Sequence, residues 1–528
     1  MSWNKLKLTT LGSIHDPKNN ASSITWSAHL LDVFLDDQNH RLLIDLGMIQ
    51  GTKDDMMLNQ TLPVDPTTWE QLDPKTVQSM ILTHTHNDHS GRLPMMVKQW
   101  YEWPIYMTQQ SYDILEHILQ DSLYVQTSEL ERFVSQQKTI KKNIVHNLNN
   151  PHFLWAQRNN KTIQQLFWSI PRHEPLFSEH DIAQSIQQSQ GKQYGQYGKN
   201  IFNVFNTHNA ITAQFVDAQH IFWSAMTLIT IKHSQGVYRI LRWWDIGRFE
   251  NNLNQNTYPT LWSLGNIPLD LIAVETTYGG RNHPDIMGQV SILQDTITQT
   301  FKRNGSVLIP LFTQTRFQDM VVLIQHMIRH QQIPSNTQII ACSPLWQTLW
   351  NSMSNHDHVY TKIFDWPIQR VSTSEALSLF KTWWTNQIFL MSGGMLQGWT
   401  AMSLIHYCDR TNKGWLEDFD QEKADRSSVI ITWYVPEHSL GHRVIHTRDF
   451  NGSQLSFSSH IDHDWIIKFI TNYQNKSNVR LKSDGHVYLM HGSHDSMNAI
   501  KQWLISSWLQ DQQIIIPPHN GYTHEFIL

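Results

Sequence analysis

The sequence predicts an α/β protein, and three observations carry that prediction. From about residue 286 to 440, strand-like runs at 306–309, 337–341, 387–391 and 428–433 alternate with helical stretches such as Arg316–Arg329. Such alternation is the pattern of a parallel, doubly wound unit. Residues 40–47, His-Arg-Leu-Leu-Ile-Asp-Leu-Gly, form an apolar run ending in Asp45 and Gly47, which reads as a buried strand entering a tight turn. Residues 79–84, Ser-Met-Ile-Leu-Thr-His, read as a second buried strand whose end carries histidines.

The remaining elements follow in chain order. Residues 5–9 read as a short strand, and the N-terminus shows no signal-peptide core. From 109 to about 137 the period turns helical, with Ile114, Ile118, Leu123 and Leu130 as core contacts. Residues 140–200 form a polar insertion rich in Asn and Gln. Its last part, 188–198, reads as a mobile loop or linker without an active site of its own. Strands are expected again at 203–205, 220–224, 227–233, 237–242 and 269–275, and strand–loop segments with more histidines close the chain. No internal repeat is visible.

At 528 residues the chain is long for a single hydrophobic core. A composition with 40% hydrophobic and 16% charged residues is that of a globular protein. The 22 Trp point to large packed surfaces, the commoner use, or to aromatic faces on which something could stack. A net charge of -5 does not advertise nucleic-acid binding, although a metal site adds positive charge that no side-chain count includes. Cys342 and Cys408 are far apart in sequence, which excludes a disulfide framework and fits a reducing compartment. No apolar run approaches the ~18 residues that span a bilayer. The expected setting is therefore cytoplasmic, or nuclear in a eukaryote, with no membrane partner.

Chemistry is concentrated in His84-Thr85-His86-Asn87-Asp88-His89, with four ligand-type residues in six positions directly after a buried strand. Side chains alternate along an extended strand end, so His84 and His86 point the same way and can reach one metal ion. Asp88 and His89 follow the turn and can reach a second. Imidazole and carboxylate are good zinc ligands, at about 2.0–2.2 Å. One loop leaves two ions under-coordinated, and a bridging carboxylate is a natural way to hold cations ~3.5–4 Å apart. His220, Asp245 and His491, isolated ionisable residues at strand ends, are the candidates.

Seven segments then fall in a telling order. They are residues 42–47 (Leu-Leu-Ile-Asp-Leu-Gly), 84–94 (the histidine loop with Ser-Gly-Arg-Leu-Pro), 218–221 (Ala-Gln-His-Ile) and 243–248 (Trp-Trp-Asp-Ile-Gly-Arg). Beyond these come 274–279 (Val-Glu-Thr-Thr-Tyr-Gly), 458–462 (Ser-Ser-His-Ile-Asp) and 489–492 (Leu-Met-His-Gly). Together they resemble the motifs of the β-CASP branch of the metallo-β-lactamase superfamily, the group of pre-mRNA 3′-end cleavage endonucleases and J-type ribonucleases. The last three resemble its motifs A, B and C. Two departures stand out: Gln219 and Trp244 occupy positions where the family keeps glycine.

The resemblance implies a metallo-β-lactamase αββα sandwich with an inserted β-CASP α/β cap domain. The lobe would comprise residues 1–282 and 453–528, and the cap 283–452. It implies two zinc ions per chain, one on His84, His86 and His220, the other on Asp88, His89 and His491, with Asp245 bridging and Asp45 bracing the loop from behind. A hydroxide between the metals would be the nucleophile, His460 the general acid and Glu275 its orienting partner. Ser459 and Arg316 are candidate substrate contacts, with Arg248 as a further basic residue. The strand carrying His491 is expected beside the strand carrying His84. Single-stranded RNA is the implied substrate, because DNA-directed members tend to carry an apolar residue where His491 stands. Protein partners or a homodimer are further candidates. Alternatives are a DNA-directed nuclease of the same family, a non-catalytic scaffold subunit of an RNA-processing complex, and a small-molecule hydrolase of the same fold.

Overall fold

The computed structural model of the chain describes residues 4–12, 26–49, 59–147, 174–196, 198–206, 208–242, 245–247, 267–356, 367–382, 386–393, 396, 399–413, 418–432, 435, 440–471, 480–507 and 509–528. Three large β-sheets organise them. The first contains, in spatial order, Tyr522–Ile527, Lys5–Gly12, Ala28–Leu35, Gln38–Ile44, Ser79–Ile81, Ile105–Thr108 and Ser189–Lys192. Its first four strands pair antiparallel and the rest parallel. The second contains Ile514–Ile515, Arg480–Met490, Pro268–Glu275, Gly236–Arg242, Ala225–His233, His208–Asp217 and Phe202–Phe205.

These two sheets share one core. Leu8, Leu31, Leu42 and Ile81 of the first pack in one cluster with Phe215, Ile229, Ile240 and Tyr488 of the second. Period-two alternation sends the next residues to the outer faces. In the strand Ala28–Leu35, Leu31 and Val33 face the shared core while Ala28 and Leu30 face outward. The outward set is covered by Leu93–Lys98, Gln109–Asn147 and Glu179–Gln188, and the outer face of the second sheet by His463–Thr471 and His494–Ser507. The order of layers is helix, sheet, sheet, helix. Both faces of both sheets are dry, which explains why the strands read as nearly continuous apolar runs.

Residues 307–454 supply the third sheet, in the order Ile368–Arg370, Gln338–Cys342, Gln387–Ser392, Val307–Leu311, Ser428–Ile431 and Gly452–Gln454. Every pairing in it is parallel. Ile309, Ile388 and Ile430 pack on one face against Ile324, Phe317 and Trp346. Leu308, Phe389 and Val429 pack on the other against Phe380 and Leu404. The doubly wound reading of this region holds. Each fully buried aliphatic side chain contributes roughly 1.5–3 kcal/mol, so two separate faces make a substantial core.

Contacts between this third unit and the first two sheets cluster at one place. Leu349 of the helix Pro344–His356 packs with Ile114, Ile118, Phe222 and Trp223. Gln314 Nε2 donates to Thr85 Oγ1 at 2.6 Å, and the Phe222 amide donates to Thr315 Oγ1 at 2.9 Å. The unit is thereby fastened beside the histidine loop.

Three local expectations need correction. Residues 220–224 are a turn and not a strand: Ser224 Oγ accepts from the amides of His220 and Ile221, at 3.2 and 3.3 Å, closing the loop between His208–Asp217 and Ala225–His233. Residues 188–198 are no linker. Ser189–Lys192 pairs with Ile105–Thr108 as an edge strand, and the buried Tyr194 donates its hydroxyl to the Ser224 carbonyl at 3.0 Å. Its polarity is that of a sheet edge, which needs little apolar surface. The helix expected to stop near 137 continues to Asn147, and Glu179–Gln188 adds another, begun by Ser178 in a capping box with Asp181. Among the described residues, no helix is long and apolar enough to cross a membrane.

Candidate metal centre

The histidine loop leaves the first sheet after the strand Ser79–Ile81 and turns into the short helix Asn87–Ser90. Asp45, at the end of the neighbouring strand Gln38–Ile44, fixes that exit. Its carboxylate accepts from the Thr83 amide and the Thr83 hydroxyl, both at 2.8 Å, and from His89 Nδ1 at 3.0 Å. With the Thr83 proton spent on Asp45, its oxygen accepts from His84 Nδ1 at 3.2 Å. Both rings are thus held with Nδ1 protonated and Nε2 turned towards the centre, the way carboxylates and hydroxyls orient ligating histidines. Gly47 lets the loop approach: a Cβ there would stand 1.6 Å from the Asp88 carbonyl oxygen.

The second sheet supplies the opposite side. Asp245 follows the strand Gly236–Arg242, His220 sits in the Ser224-closed turn, and His491 follows the strand Arg480–Met490. The expected placement of that last strand is corrected: it lies in the facing sheet between Pro268–Glu275 and Ile514–Ile515, not beside the strand that leads to His84. Its C-terminal end still reaches the centre, with the His491 ring 5.7 Å from that of His89.

Asp245 is the hub. Its Oδ2 lies 3.3 Å from His220 Nε2, 3.4 Å from His89 Nε2 and 3.7 Å from His84 Nε2, and its Oδ1 lies 3.4 Å from His491 Nδ1. Three four-residue donor sets meet there, His84–His86–His220–Asp245, Asp88–His89–Asp245–His491 and Asp245–Glu275–His460–His491, with ligand atoms within 4.8 Å of one another in each. Neither ring nitrogen of His220 has a hydrogen-bond partner among the described residues, although the residue is 3% exposed. His84 Nε2 and His86 Nδ1 face each other at 3.1 Å. Inward-facing imidazole nitrogens around a buried carboxylate are a donor set that could hold a divalent metal.

The electrostatics agree. Burial pulls His84 and His220 well below the usual histidine range and His86 down to about 4, so all three are neutral, the form that binds a metal. Burial works against ionised Asp245, yet the histidines around it, His491 and His89 foremost, hold it well below the usual carboxylate range. His89 is the exception: burial lowers it, but Asp245 and Asp88 together raise it well above its ordinary value. A proton there does part of what a cation would do, and cation binding would expel it.

Beside this lies a second carboxylate–imidazole pair. Glu275, at the end of the strand Pro268–Glu275, is fully buried and accepts from the Ile246 amide at 2.7 Å, from Thr277 Oγ1 at 2.5 Å and from His460 Nδ1 at 2.9 and 3.0 Å. His460 Nε2 then faces the cluster, 4.0 Å from Asp245 Oδ2. Burial would lower His460, but Glu275 and Asp245 raise it to about 9.

Comparison with known proteins follows this geometry. No family model matches the chain. It is 26% identical over 320 residues to ribonuclease TTHA0252 of Thermus thermophilus, covering 60% of this chain and 56% of that protein. Over 491 residues it is 22% identical to endoribonuclease YSH1 of Candida glabrata, covering 86% of this chain and 53% of the relative. Over 302 residues it is 25% identical to the transcription termination factor FttA of Methanothermobacter thermautotrophicus, covering 56% and 37%. The chain thus spans about half the length, or less, of these relatives. It is similar, at modest identity over much of its length, to named ribonucleases and endoribonucleases, as its motif resemblance to the β-CASP group implies.

Within this centre the remaining candidates divide. Ser459 is half-buried next to His460, while the hydroxyl that supports the loop is that of Ser458, accepting from the His460 amide at 3.2 Å. Arg316 begins the helix Arg316–Arg329, lies 3.4 Å from Asp319, and its charge helps to lower His220. Trp244 and Arg248 lie outside the described residues. The other departure, Gln219, is explained: its φ is 57°, a conformation that glycine adopts freely, and the Asp217 carboxylate holds its amide at 2.8 Å. Asp45, Trp223, Thr315 and His491 are also among the fourteen described non-glycine residues with positive φ. Sequence reasoning missed Thr83, Thr277 and Gln314. Each is a small or neutral polar residue whose role shows only through the carboxylate or hydroxyl it meets.

Proposed function

We propose that this chain is a zinc-dependent ribonuclease that hydrolyses RNA phosphodiester bonds, with two cations held around Asp245. The observation that carries the reading is the position of the Asp245 carboxylate between His220, His89, His491 and His84, at 3.3 to 3.7 Å. His84, His86 and His220 would hold one cation, Asp88, His89 and His491 the other, and Asp245 both. Cations so held polarise phosphoryl oxygens and make water nucleophilic at neutral pH. Residues 1–282 and 453–528 would form the lobe that carries these groups, and 283–452 a cap over the cleft.

The chain's own groups do the rest. Asp45 keeps His89 in the ligating tautomer through Nδ1. Glu275 does the same for His460, and its negative charge keeps the imidazolium protonated at neutral pH. His460 Nε2 can then deliver that proton to the departing ribose oxygen. The names of the relatives support RNA as substrate, as does, on the motif resemblance, a histidine, His491, where DNA-directed members tend to carry an apolar residue.

Cleavage of end-labelled single-stranded RNA by zinc-loaded protein tests the proposal, with metal content measured on the same samples. Wild type is expected to cut and to retain divalent ions. Asp245→Ala and Asp88→Ala are expected to lose cleavage, and Asp245→Ala its metal as well. Equal cutting by the variants would remove the assigned roles. Preference for DNA of the same sequence would favour the DNA-directed alternative, and a native protein that binds no metal would favour a scaffold.

A further inference from the structure

We infer that His283 is a positioning residue for His460, acting through the peptide carbonyl of His460 and not through its ring. This rests on the reading of His460 as proton donor. Residues 455–461 have no regular secondary structure, so no ladder or helix fixes the peptide that carries His460. Its ring is tied at Nδ1 to Glu275, and its carbonyl accepts from His283 Nε2 at 2.9 Å. The next amide, of Ile461, donates to the Ile246 carbonyl at 2.7 Å. Both sides of the peptide plane following His460 are therefore held.

His283 is itself well fixed. Its amide donates to Asp462 Oδ2 at 3.1 Å, and its ring lies against that of Tyr278, 4.3 Å between centroids. Tyr278 and Asp462 form an isolated β-bridge. His463 Nδ1 donates to the Gly279 carbonyl at 2.6 Å, and the His463 amide to that of Arg281 at 3.2 Å. Residues 278–283 and 460–463 are thus clasped along their length, and His283 is the side chain that reaches back to His460. Removing it lets the 460–461 peptide rotate and swings Nε2 away from the leaving oxygen. A misplacement of about 1 Å costs up to ~100-fold in rate.

Two substrates separate positioning from general damage. RNA has a poor leaving group and needs the proton; bis(p-nitrophenyl) phosphate releases a stable phenolate and does not. For zinc-loaded, folded His283→Ala protein, kcat on RNA is expected to fall about 10- to 100-fold, and kcat on the activated ester by less than about threefold. His283→Gln, whose amide N–H can reach the same carbonyl, is expected to recover most of the RNA activity. Equal losses on both substrates, no loss on RNA, or a loaded Gln variant as slow as the Ala variant would each overturn the inference. His460→Ala is the control. If it fails to discriminate between the two substrates, the proton-donor reading itself falls, and this inference with it; if it discriminates and His283→Ala does not, only the inference falls.

Discussion

The two sides of the centre are built on opposite plans. On the first sheet, His84, His86, Asp88 and His89 sit on one continuous loop, and a single carboxylate, Asp45, fixes it through Thr83 and His89. On the second, His220, Asp245, Glu275, His460 and His491 come from five separate segments spread over some 270 residues of sequence, and hydrogen bonds to Glu275 tie the Asp245 and His460 segments together. The first plan is local and needs one strand to end correctly. The second needs the whole sheet to form before any of its side chains meet. Damage to the first side should therefore be graded, and damage to the second cooperative.

Four substitutions and one relief of strain sharpen that contrast. Asp245→Ala removes the group common to all three donor sets; metal content should collapse and cleavage should fall by ~10³-fold or more, read by metal analysis beside the RNA assay. His460→Ala leaves intact the two donor sets that do not include it, so metal should be retained while kcat on RNA falls about 10²- to 10⁴-fold. Asp45→Asn, on the local side, should weaken metal affinity only about 10- to 100-fold in a competition titration with a chelator; total loss would mean that the local side is no more tolerant than the other.

Glu275→Gln tests the distributed side by pH. On the proposed role His460 would donate only while protonated, so the rate should fall as pH rises through its pKa, which Glu275 and Asp245 hold up at about 9 against the opposing effect of burial. Bound cations pull that value down in both proteins. Without the Glu275 charge the pKa drops further, and the alkaline fall in kcat should begin about one pH unit or more earlier. An unmoved limb would detach Glu275 from His460. The smallest effect is expected at Gln219, whose φ of 57° strains a non-glycine residue. Gln219→Gly should raise stability by about 1 kcal/mol or less in thermal unfolding and leave cleavage unchanged.

This contrast also explains what could be read from sequence. The strand before His84, the helix Arg316–Arg329 and the parallel third sheet were legible because apolar period and punctuation are local signals. The histidine loop was legible for the same reason. His220 and Asp245 have no such signature; motif resemblance singled them out, and the structure brings them to within 3.3 Å of each other. Errors fell where polar groups outweigh pattern. Residues 220–224 look like a strand but are turned back by the Ser224 hydroxyl, and 188–198 look like a linker but pair at a sheet edge through backbone groups that any composition supplies. His491 was expected beside the strand of His84 and lies on the facing sheet, because its motif carries no information about which strands flank it.

Gly47 has a counterpart in Gly247, where a Cβ would stand 1.6 Å from the Gln219 carbonyl oxygen, just as one at 47 would from that of Asp88. In each case the glycine comes two residues after an aspartate of the candidate centre, Asp45 or Asp245, and a neighbouring turn slides into the space that a methyl group would fill. The acidic groups on the two sheets are therefore aimed by matching notches in the backbone. Even alanine, the mildest replacement available, would wedge such a notch open, so the least reactive atoms near the chemistry are among those with the least freedom to vary.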